Sequence, residues 1–193
     1  MLNEILNEPL VLASRSPRRT EILQAVGWSF EIAVAGIDET RHAGEDALHY
    51  VQRLALMKAQ VAAQRHSGRL VLGADTVVLI DTEILGQPVD AGDARRMLRQ
   101  LSGKWHEVLT GVALVRLGQG ACTLIDHEIT RVLFANLSAE EVDWYIETGE
   151  PMDKAGAYAI QGKAAPFIEK IEGDYFNVVG LPIRLVYKLG MRI

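Results

Sequence analysis

The stretch LVLASRSPRRTEILQAVG at residues 10–27 decides the class of the fold. Its first four residues are apolar and predict a short strand, which a turn follows at residues 14–16. Ser16 is a favourable N-cap, Pro17 suits the first helical position, and Gly27 suits the end of a helix. The stretch therefore predicts a strand, a tight turn and a helix in succession.

Further along the chain, strand-like and helix-like stretches continue to alternate. The predicted strands cover residues 30–34, 70–80, 106–116, 123–134 and 156–160. The predicted helices cover residues 46–66 and 91–101, with further helices beginning at the capping box 138–141 and at Pro182. This alternation favours an α/β protein.

Length and composition describe a globular protein of modest acidity. The chain has 193 residues, of which 49% are hydrophobic, and a chain of this length can bury one sizeable core. We expect a single domain over residues 1–193, either one body or two lobes. The formal net charge of -5 argues against binding nucleic acid through phosphate neutralisation.

The sequence also predicts the compartment. Cys122 is the only cysteine, which excludes an intramolecular disulfide and fits a reducing cytosol. The first ten residues, MLNEILNEPL, carry two acids and no basic stretch, unlike a secretory signal. Since no uncharged apolar run approaches the roughly 18 residues of a spanning helix, we expect a cytoplasmic protein with no membrane segment.

Ser14, Arg18 and Arg19 lie in the predicted turn and the first turn of the helix, where main-chain N–H groups favour an anion. Two arginines there oppose the helix dipole, so stability alone would not place them. A phosphate ligand would resolve the conflict, because guanidinium groups bind phosphate oxygens through paired hydrogen bonds. The alternative is two solvated arginines on a surface turn.

Lys58 lies within or beside the apolar stripe of its predicted helix, which Val51, Ala55 and Ala62 define. An unpaired buried ammonium group is costly. The side chain must therefore reach solvent, pair with a carboxylate or meet a ligand.

Asp75 lies inside the apolar run LVLGADTVVLI at residues 70–80, a predicted buried strand. Aspartate is disfavoured in strands and is rarely buried without a partner. Gly73 allows another backbone or a ligand to approach closely. The carboxylate thus meets a metal, a cation or a reacting water, or else it forms a structural salt bridge or a strand-end turn.

Glu39 and Gln161 give weaker signals. With Asp75, Glu39 would supply an oxygen ligand for Mg²⁺, although acidic loop residues are usually solvated. Gln161 follows a short apolar run, where its amide could read a base edge or merely end a strand. The sequence contains neither the P-loop pattern nor GxGxxG, so the common nucleotide-binding loops are absent.

Seven segments in one order cover nearly the whole chain. They are LASRSPRR (12–19), IDET (37–40), the helix containing Lys58 and Ala59, GADTVV (73–78), GKWHEVLTG (103–111), DKAGAYAIQG (153–162) and GDYFNVVGLP (173–182). Together they resemble the Maf-like family of nucleoside triphosphate pyrophosphatases, also called septum-formation inhibitor proteins.

The resemblance implies an elongated mixed β-sheet flanked by helices, with two lobes around a deep cleft. It implies hydrolysis of a nucleoside triphosphate to the monophosphate and pyrophosphate, with Mg²⁺ or Mn²⁺ as the divalent cation. The form GADT at residues 73–76 resembles the branch acting on dTTP and UTP, with modified pyrimidine nucleotides as further substrates. The branch acting on 7-methyl-GTP typically has Gln after the aspartate.

The resemblance also implies catalytic roles. Asp75 matches the position of the family's proton acceptor, and Glu39 and Lys58 match other active-site positions. We expect Asp75 and Glu39 to bind the metal, and Lys58 to add charge at the phosphates or to orient a carboxylate.

Substrate-binding roles are implied in the same way. Arg18, Thr76 and Gln161 match the positions associated with substrate choice, and Ser14 and Arg19 match further active-site positions. We expect the two arginines and the helix start to hold the phosphates. Thr76 and Gln161 are expected to contact the pyrimidine.

The chain departs from the family pattern at one position. The family usually has Gly-Lys-Pro after the aspartate strand, and residues 86–88 here read Gly-Gln-Pro. Gln87 carries no charge, so phosphate binding or activity would weaken by about 1.5–3 kcal/mol unless Lys104 or Lys163 replaces the contact.

Two other functions stay open from the sequence. One is a nucleotide-sensing regulator of cell division and septum formation with little catalysis. The other is a nucleic-acid-binding module that uses the arginine-rich turn, which the acidic balance disfavours. A homodimer is suggested by the resemblance alone.

Overall fold

The computed structural model describes residues 8–34 and 36–193. The strands in the described residues are β1 (Leu10–Leu12), β2 (Phe30–Ile32), β3 (Val71–Ile80), β4 (Glu83–Leu85), β5 (Trp105–Arg116), β6 (Cys122–Phe134) and β7 (Ile168–Glu172). The helices are α1 (Pro17–Ala25), α2 (Ala47–Ala63), α3 (Ala91–Leu101), α4 (Ala139–Glu147), α5 (Tyr175–Val179) and α6 (Ile183–Gly190). Short 3₁₀ helices cover Glu150–Asp153, Ala155–Ala157 and Ala165–Phe167. Among these helices, none is both long enough and apolar enough to cross a bilayer.

The strands form one mixed sheet. Its order is β2-β1-β3-β5-β6-β7, and β4 pairs with β3 off this path. Strand β1 runs parallel to both β2 and β3, whereas β4 is antiparallel to β3 and β7 is antiparallel to β6. The predicted α/β class with a mixed sheet is confirmed.

The helix ends follow the residues that the sequence marks. Ser16 is the N-cap of α1, but the side chain of Ser14, at 3.2 Å, accepts the Ser16 N–H. Gly27, with φ 71°, follows the end of the same helix. Ser138 and Glu141 form the predicted capping box of α4.

The predicted strand at residues 156–160 is wrong. Gly156 and Ala157 have φ values of 68° and 60°, which an extended strand does not allow, and they lie in a 3₁₀ helix. A Cβ at Gly156 would come within 2.7 Å of the Val78 side chain, so this segment contacts β3 closely. Strands β4 and β7 and helix α5 were not predicted, because three to five residues carry too little periodicity.

Contacts divide the chain into two compact units. The first comprises the described residues up to Asp75 with Thr110–Glu128 and Gly180–Ile193, and the second comprises Thr76–Leu109 with Ile129–Val179. In the first unit, small apolar side chains of α2 pack against the strands. This core cluster contains Val11, Ala13, Ala55, Ala59, Ala62, Ala63, Val71, Ala113 and Val115.

Two glycines allow α2 to lie directly on the strands. A Cβ at Gly73 in β3 would lie 2.1 Å from the carbonyl oxygen of Ala55, and one at Gly111 in β5 would lie 2.4 Å from that of Val51. No side chain fits at either position without movement of the helix. The position of Lys58, which α2 carries, is therefore set by backbone contact with the sheet.

The second unit has a buried aromatic cluster. The rings of His106, Phe134 and Tyr158 lie with centroids 4.8–5.4 Å apart, and His106 Nε2 is 2.8 Å from the Tyr158 hydroxyl. Burial lowers the pKa of His106 to about 4, so its imidazole is neutral at pH 7.

Candidate active site

The turn between β1 and α1 is tied to the sheet by Arg19. Its Nη1 donates to Ser14 Oγ at 3.0 Å and to the carbonyl of Ala74 at 2.9 Å, and its Nε donates to the carbonyl of Gly180 at 2.8 Å. The side chain is buried, at 8% exposure. Arg19 thus joins three distant parts of the first unit immediately beside Asp75.

Arg19 therefore affects Asp75 in two ways. It holds the neighbouring main chain at Ala74, and its positive charge lowers the pKa of the Asp75 carboxyl group. Burial lowers the pKa of its guanidinium, and the negative charge of Asp75 opposes that lowering. The hydrogen bonds above engage protein acceptors, so a direct contact of Arg19 with phosphate stays a prediction. Arg18, which is half-buried, stays a predicted phosphate-binding residue as well.

Lys58 joins the two predicted metal-binding carboxylates. Its Nζ lies 2.6 Å from Asp75 Oδ1 and 2.9 Å from Glu39 Oε1. The side chains of Lys58 and Asp75 are each 12% exposed, while that of Glu39 is 55% exposed. Of the alternatives that the sequence leaves open for Lys58, the structure has pairing with carboxylates.

The surroundings of Asp75 make its carboxylate a stronger base than an exposed aspartate. Burial raises the pKa of Asp75, and the nearby charges of Lys58 and Arg19 lower it without cancelling that rise. A carboxylate with a raised pKa accepts a proton more readily when it is ionised. Perturbed groups of this kind are concentrated at catalytic sites.

The loop that carries Glu39 is fastened to α2 by two side chains that the sequence analysis did not identify. The hydroxyl of Tyr50 donates to the Glu39 carbonyl at 2.9 Å. Arg53 donates to the Thr40 carbonyl at 3.1 Å and to the Glu45 carboxylate at 2.6 and 2.7 Å. Tyr50 and Arg53 are three residues apart on α2, and that i,i+3 spacing is the signal that could have indicated a shared contact with the loop.

The remaining predicted residues belong to the second unit. Thr76 directly follows Asp75 and is half-buried, and Gln161 is exposed in a turn. Gln87 donates from Nε2 to the carbonyl of Asp153 at 3.2 Å. The amide at the usual lysine position therefore holds the main chain of the segment that leads to Gln161.

The structure thus brings five of the predicted site residues together in two bonded groups, Ser14 with Arg19 and Lys58 with two carboxylates, which meet at the main chain of Ala74 and Asp75. These are Ser14, Arg19, Glu39, Lys58 and Asp75. Lys104, a predicted substitute for the missing lysine, has its Nζ 3.9 Å from Asp81. The main-chain N–H of Lys163, the other predicted substitute, donates to Glu150.

Two carboxylates around one ammonium fit a divalent cation only as an open site. Asp75 and Glu39 offer hard oxygen donors, of the kind that Mg²⁺ prefers. Across residues 8–34 and 36–193, no group of three or more His, Cys, Asp or Glu side chains could hold a metal. Because Mg²⁺ commonly takes one or two carboxylates and completes its shell with water and substrate phosphates, the pair fits that ion together with a phosphate ligand.

Known proteins resemble this chain over nearly its whole length. A family model described as Maf-like protein matches residues 9–192. A dTTP/UTP pyrophosphatase of Symbiobacterium thermophilum is 54% identical over 91% of this chain and 89% of that protein. A dTTP/UTP pyrophosphatase of Koribacter versatilis is 49% identical over 100% of this chain and 98% of that protein.

Solved structures share the fold at much lower identity. A HAM1 protein from Coxiella burnetii aligns with a TM-score of 0.55 at 16% identity, over 96% of this chain and 99% of that one. The Ham1 protein of Staphylococcus aureus aligns with a TM-score of 0.54 at 12% identity, over 94% and 97% of the two chains. At these identities the likeness is one of fold alone.

Proposed function

Because the chain belongs to the Maf-like protein family, we propose that it hydrolyses dTTP and UTP to the nucleoside monophosphate and pyrophosphate. Relatives that are about half identical to this chain over nearly its full length are named dTTP/UTP pyrophosphatase, and this supports the substrate class. The observation that carries the reaction is the buried carboxylate of Asp75, held 2.6 Å from the ammonium of Lys58.

Asp75 is the proton acceptor in this proposal. It takes a proton from a water molecule as the water oxygen forms a bond to the α-phosphorus. The bond from that phosphorus to the oxygen bridging to the β-phosphate breaks, and the electron pair leaves with pyrophosphate. Lys58 and Arg19 favour the ionised carboxylate that a base requires, while burial makes it more basic.

The cationic groups balance a substrate that carries about four negative charges. Arg18 and the main-chain N–H groups at the start of α1 bind phosphate oxygens. Lys58 orients both Asp75 and Glu39 and adds positive charge beside them. The rate gain comes from positioning and electrostatic stabilisation, with no covalent intermediate on the protein.

Asp75 and Glu39 are the residues that would hold a divalent cation, Mg²⁺ or Mn²⁺. When bound, such an ion neutralises charge on phosphate oxygens. Thr76 and Gln161 are proposed to contact the pyrimidine, on the basis of the matching family positions.

Product analysis tests this function. The purified protein is incubated with dTTP, UTP, GTP and modified triphosphates, with and without Mg²⁺ or Mn²⁺. We expect one pyrophosphate for each monophosphate, with dTTP and UTP the best substrates and activity lost without the cation. Release of orthophosphate and a diphosphate would contradict the reaction, and a shift in melting temperature with dTTP but no product would indicate a nucleotide sensor.

A further inference from the structure

The turn that carries Gln161 is fastened from both sides by two side chains. The hydroxyl of Tyr145, in α4, accepts the N–H of Ala159 at 3.1 Å and donates to Glu150 Oε1 at 2.9 Å. The Glu150 carboxylate accepts the N–H of Lys163 at 2.9 and 3.2 Å. The main chain is thereby fixed two residues before and two residues after Gln161.

Packing leaves this fastening little freedom. A Cβ at Gly162 would lie 2.4 Å from Glu150 Oε1, so the main chain of the turn rests directly against the carboxylate. Tyr145 is fully buried, and its ring packs edge-on against Phe167 with centroids 5.6 Å apart. The support is rigid, while Gln161 itself is exposed.

Local hydrogen bonds already close the turn without this support. The N–H of Gly162 donates to the carbonyl of Ala159 at 3.0 Å, and the N–H of Ala165 donates to that of Gly162 at 3.0 Å. Burial of a hydroxyl against a carboxylate is costly unless both are well bonded. A turn serving only to reverse the chain has no need of such a support.

We propose that Tyr145 and Glu150 are positioning residues that hold Gln161 for base recognition and thereby set the selectivity among nucleoside triphosphates. This inference rests on the proposed function and adds to it the device that fixes the base-reading amide. An amide distinguishes bases by the direction of its donor and acceptor. A loosened main chain therefore lowers selectivity more than it lowers turnover, which depends on Asp75.

Steady-state kinetics of four variants tests the inference. Tyr145→Phe and Glu150→Gln each remove part of the support, Gln161→Ala removes the supported group, and Glu147→Gln changes an exposed glutamate of the same helix. We measure kcat and KM for dTTP, UTP and GTP, together with the melting temperature of each variant. We expect the ratio of kcat/KM for dTTP over GTP to fall roughly 2- to 13-fold in the two support variants, the effect of one net hydrogen bond.

The fall should arise from KM for dTTP, with kcat nearly unchanged, and Glu147→Gln should behave as wild type. In the double variant Tyr145→Phe/Gln161→Ala, selectivity should not fall below that of Gln161→Ala, because the supported group is already gone. A purely structural role would instead lower the rates on all three triphosphates equally, and that result overturns the inference.

Two further outcomes separate this inference from the base-reading role. If Gln161→Ala loses selectivity while Tyr145→Phe and Glu150→Gln keep it, the positioning role is wrong and base reading stands. If Gln161→Ala keeps wild-type selectivity, base reading and positioning are both wrong, while hydrolysis of dTTP stands. Should Tyr145→Phe fail to fold, Glu150→Gln, which preserves side-chain size at a half-buried position, decides the question.

Discussion

Two regions of this protein hold their proposed functional side chains in opposite ways. In the first unit, Lys58 and Asp75 are charged groups on a helix and a strand, and each is held by the other's charge. In the second unit, Gln161 lies on an irregular turn whose main chain is bonded to Tyr145 and Glu150. A helix and a strand carry Lys58 and Asp75, each of which needs an opposite charge nearby. Hydrogen bonds to the main chain hold the turn of Gln161, whose amide is proposed to read a base through its orientation.

The two regions should therefore respond to different changes. Removal of a charge acts on the first region, because the charges of Lys58 and Arg19 affect the ionisation of Asp75. Loss of a single hydrogen bond acts on the second. The predictions below are given in order of decreasing effect. Two of them change a charge of the first region, and one changes a buried ring of the second unit.

Asp75→Asn has the largest expected effect. The substitution keeps the size of the side chain and removes the base, so kcat on dTTP should fall by about 10²- to 10⁴-fold. The fold should be retained, as measured by circular dichroism. Asp81→Asn, at an exposed position after β3, is the matched control and should turn over as wild type. Wild-type turnover in Asp75→Asn would show that Asp75 is not the base. The contrast drawn between the two regions would then no longer hold for the first one.

His106 provides a test in the second unit, through stability. Its pKa is about 4 in the folded protein against 6.5 as its ordinary value, so between these pH values the folded state binds fewer protons than the unfolded state. The free energy of unfolding should therefore fall as the pH is lowered from 6.5 to 4. At about 1.36 kcal/mol per pH unit over a pKa difference of about 2.5, the contribution is roughly 3 to 4 kcal/mol.

Urea unfolding across this pH range measures the effect. His106→Gln cannot titrate and should show a flatter dependence, whatever its stability at neutral pH. His42→Gln, at an exposed position, should keep the wild-type dependence. An unchanged slope in His106→Gln would mean that this buried ring does not govern the acid response of the second unit.

Lys58→Gln, in the first unit, has the smallest expected effect of the three. The loss of charge-assisted contacts to Asp75 and Glu39 should lower kcat/KM by about 1.5–3 kcal/mol, or about 10- to 150-fold. Because Lys58 lowers the pKa of Asp75, its removal raises that pKa further. A protonated Asp75 cannot accept a proton, so the acid limb of the pH–rate profile should move to higher pH.

The charge-preserving variant separates charge from packing. Lys58→Arg should move the acid limb back towards its wild-type position, even if the larger head group lowers the rate. An acid limb at the same pH in Lys58→Gln and wild type would show that Asp75 ionises independently of Lys58.

The sequence predicted the first region better than the second. Asp75 and Lys58 stand out because each interrupts an apolar pattern, and that is a local signal. The acceptors of Arg19 could not be predicted, since the carbonyl of Gly180 is 161 residues away and main-chain oxygens leave no mark in the sequence. The fold class was predictable because helix and strand periodicities are local as well.

The turn around Gln161 escaped prediction for a different reason. Its apolar residues resemble a strand, and nothing marks Ala157 as a residue with positive φ. Tyr145 lies in α4 and Glu150 begins the short 3₁₀ helix that follows, so their contacts with the turn depend on tertiary structure. Gln87 is predicted to weaken phosphate binding or activity because it carries no charge, and its bond to the Asp153 carbonyl is a contact that the sequence could not indicate.

The contact of α2 with Gly73 and Gly111 has a consequence for how this protein can evolve. Most protein interiors adapt by exchanging one side chain for another of different volume, but at Gly73 and Gly111 the helix backbone lies too close for any larger side chain. The distance between α2 and the sheet, and with it the position of the Lys58 ammonium group, is fixed by backbone contact at these two glycines. Substitutions that change packing volume must therefore occur away from these two contacts.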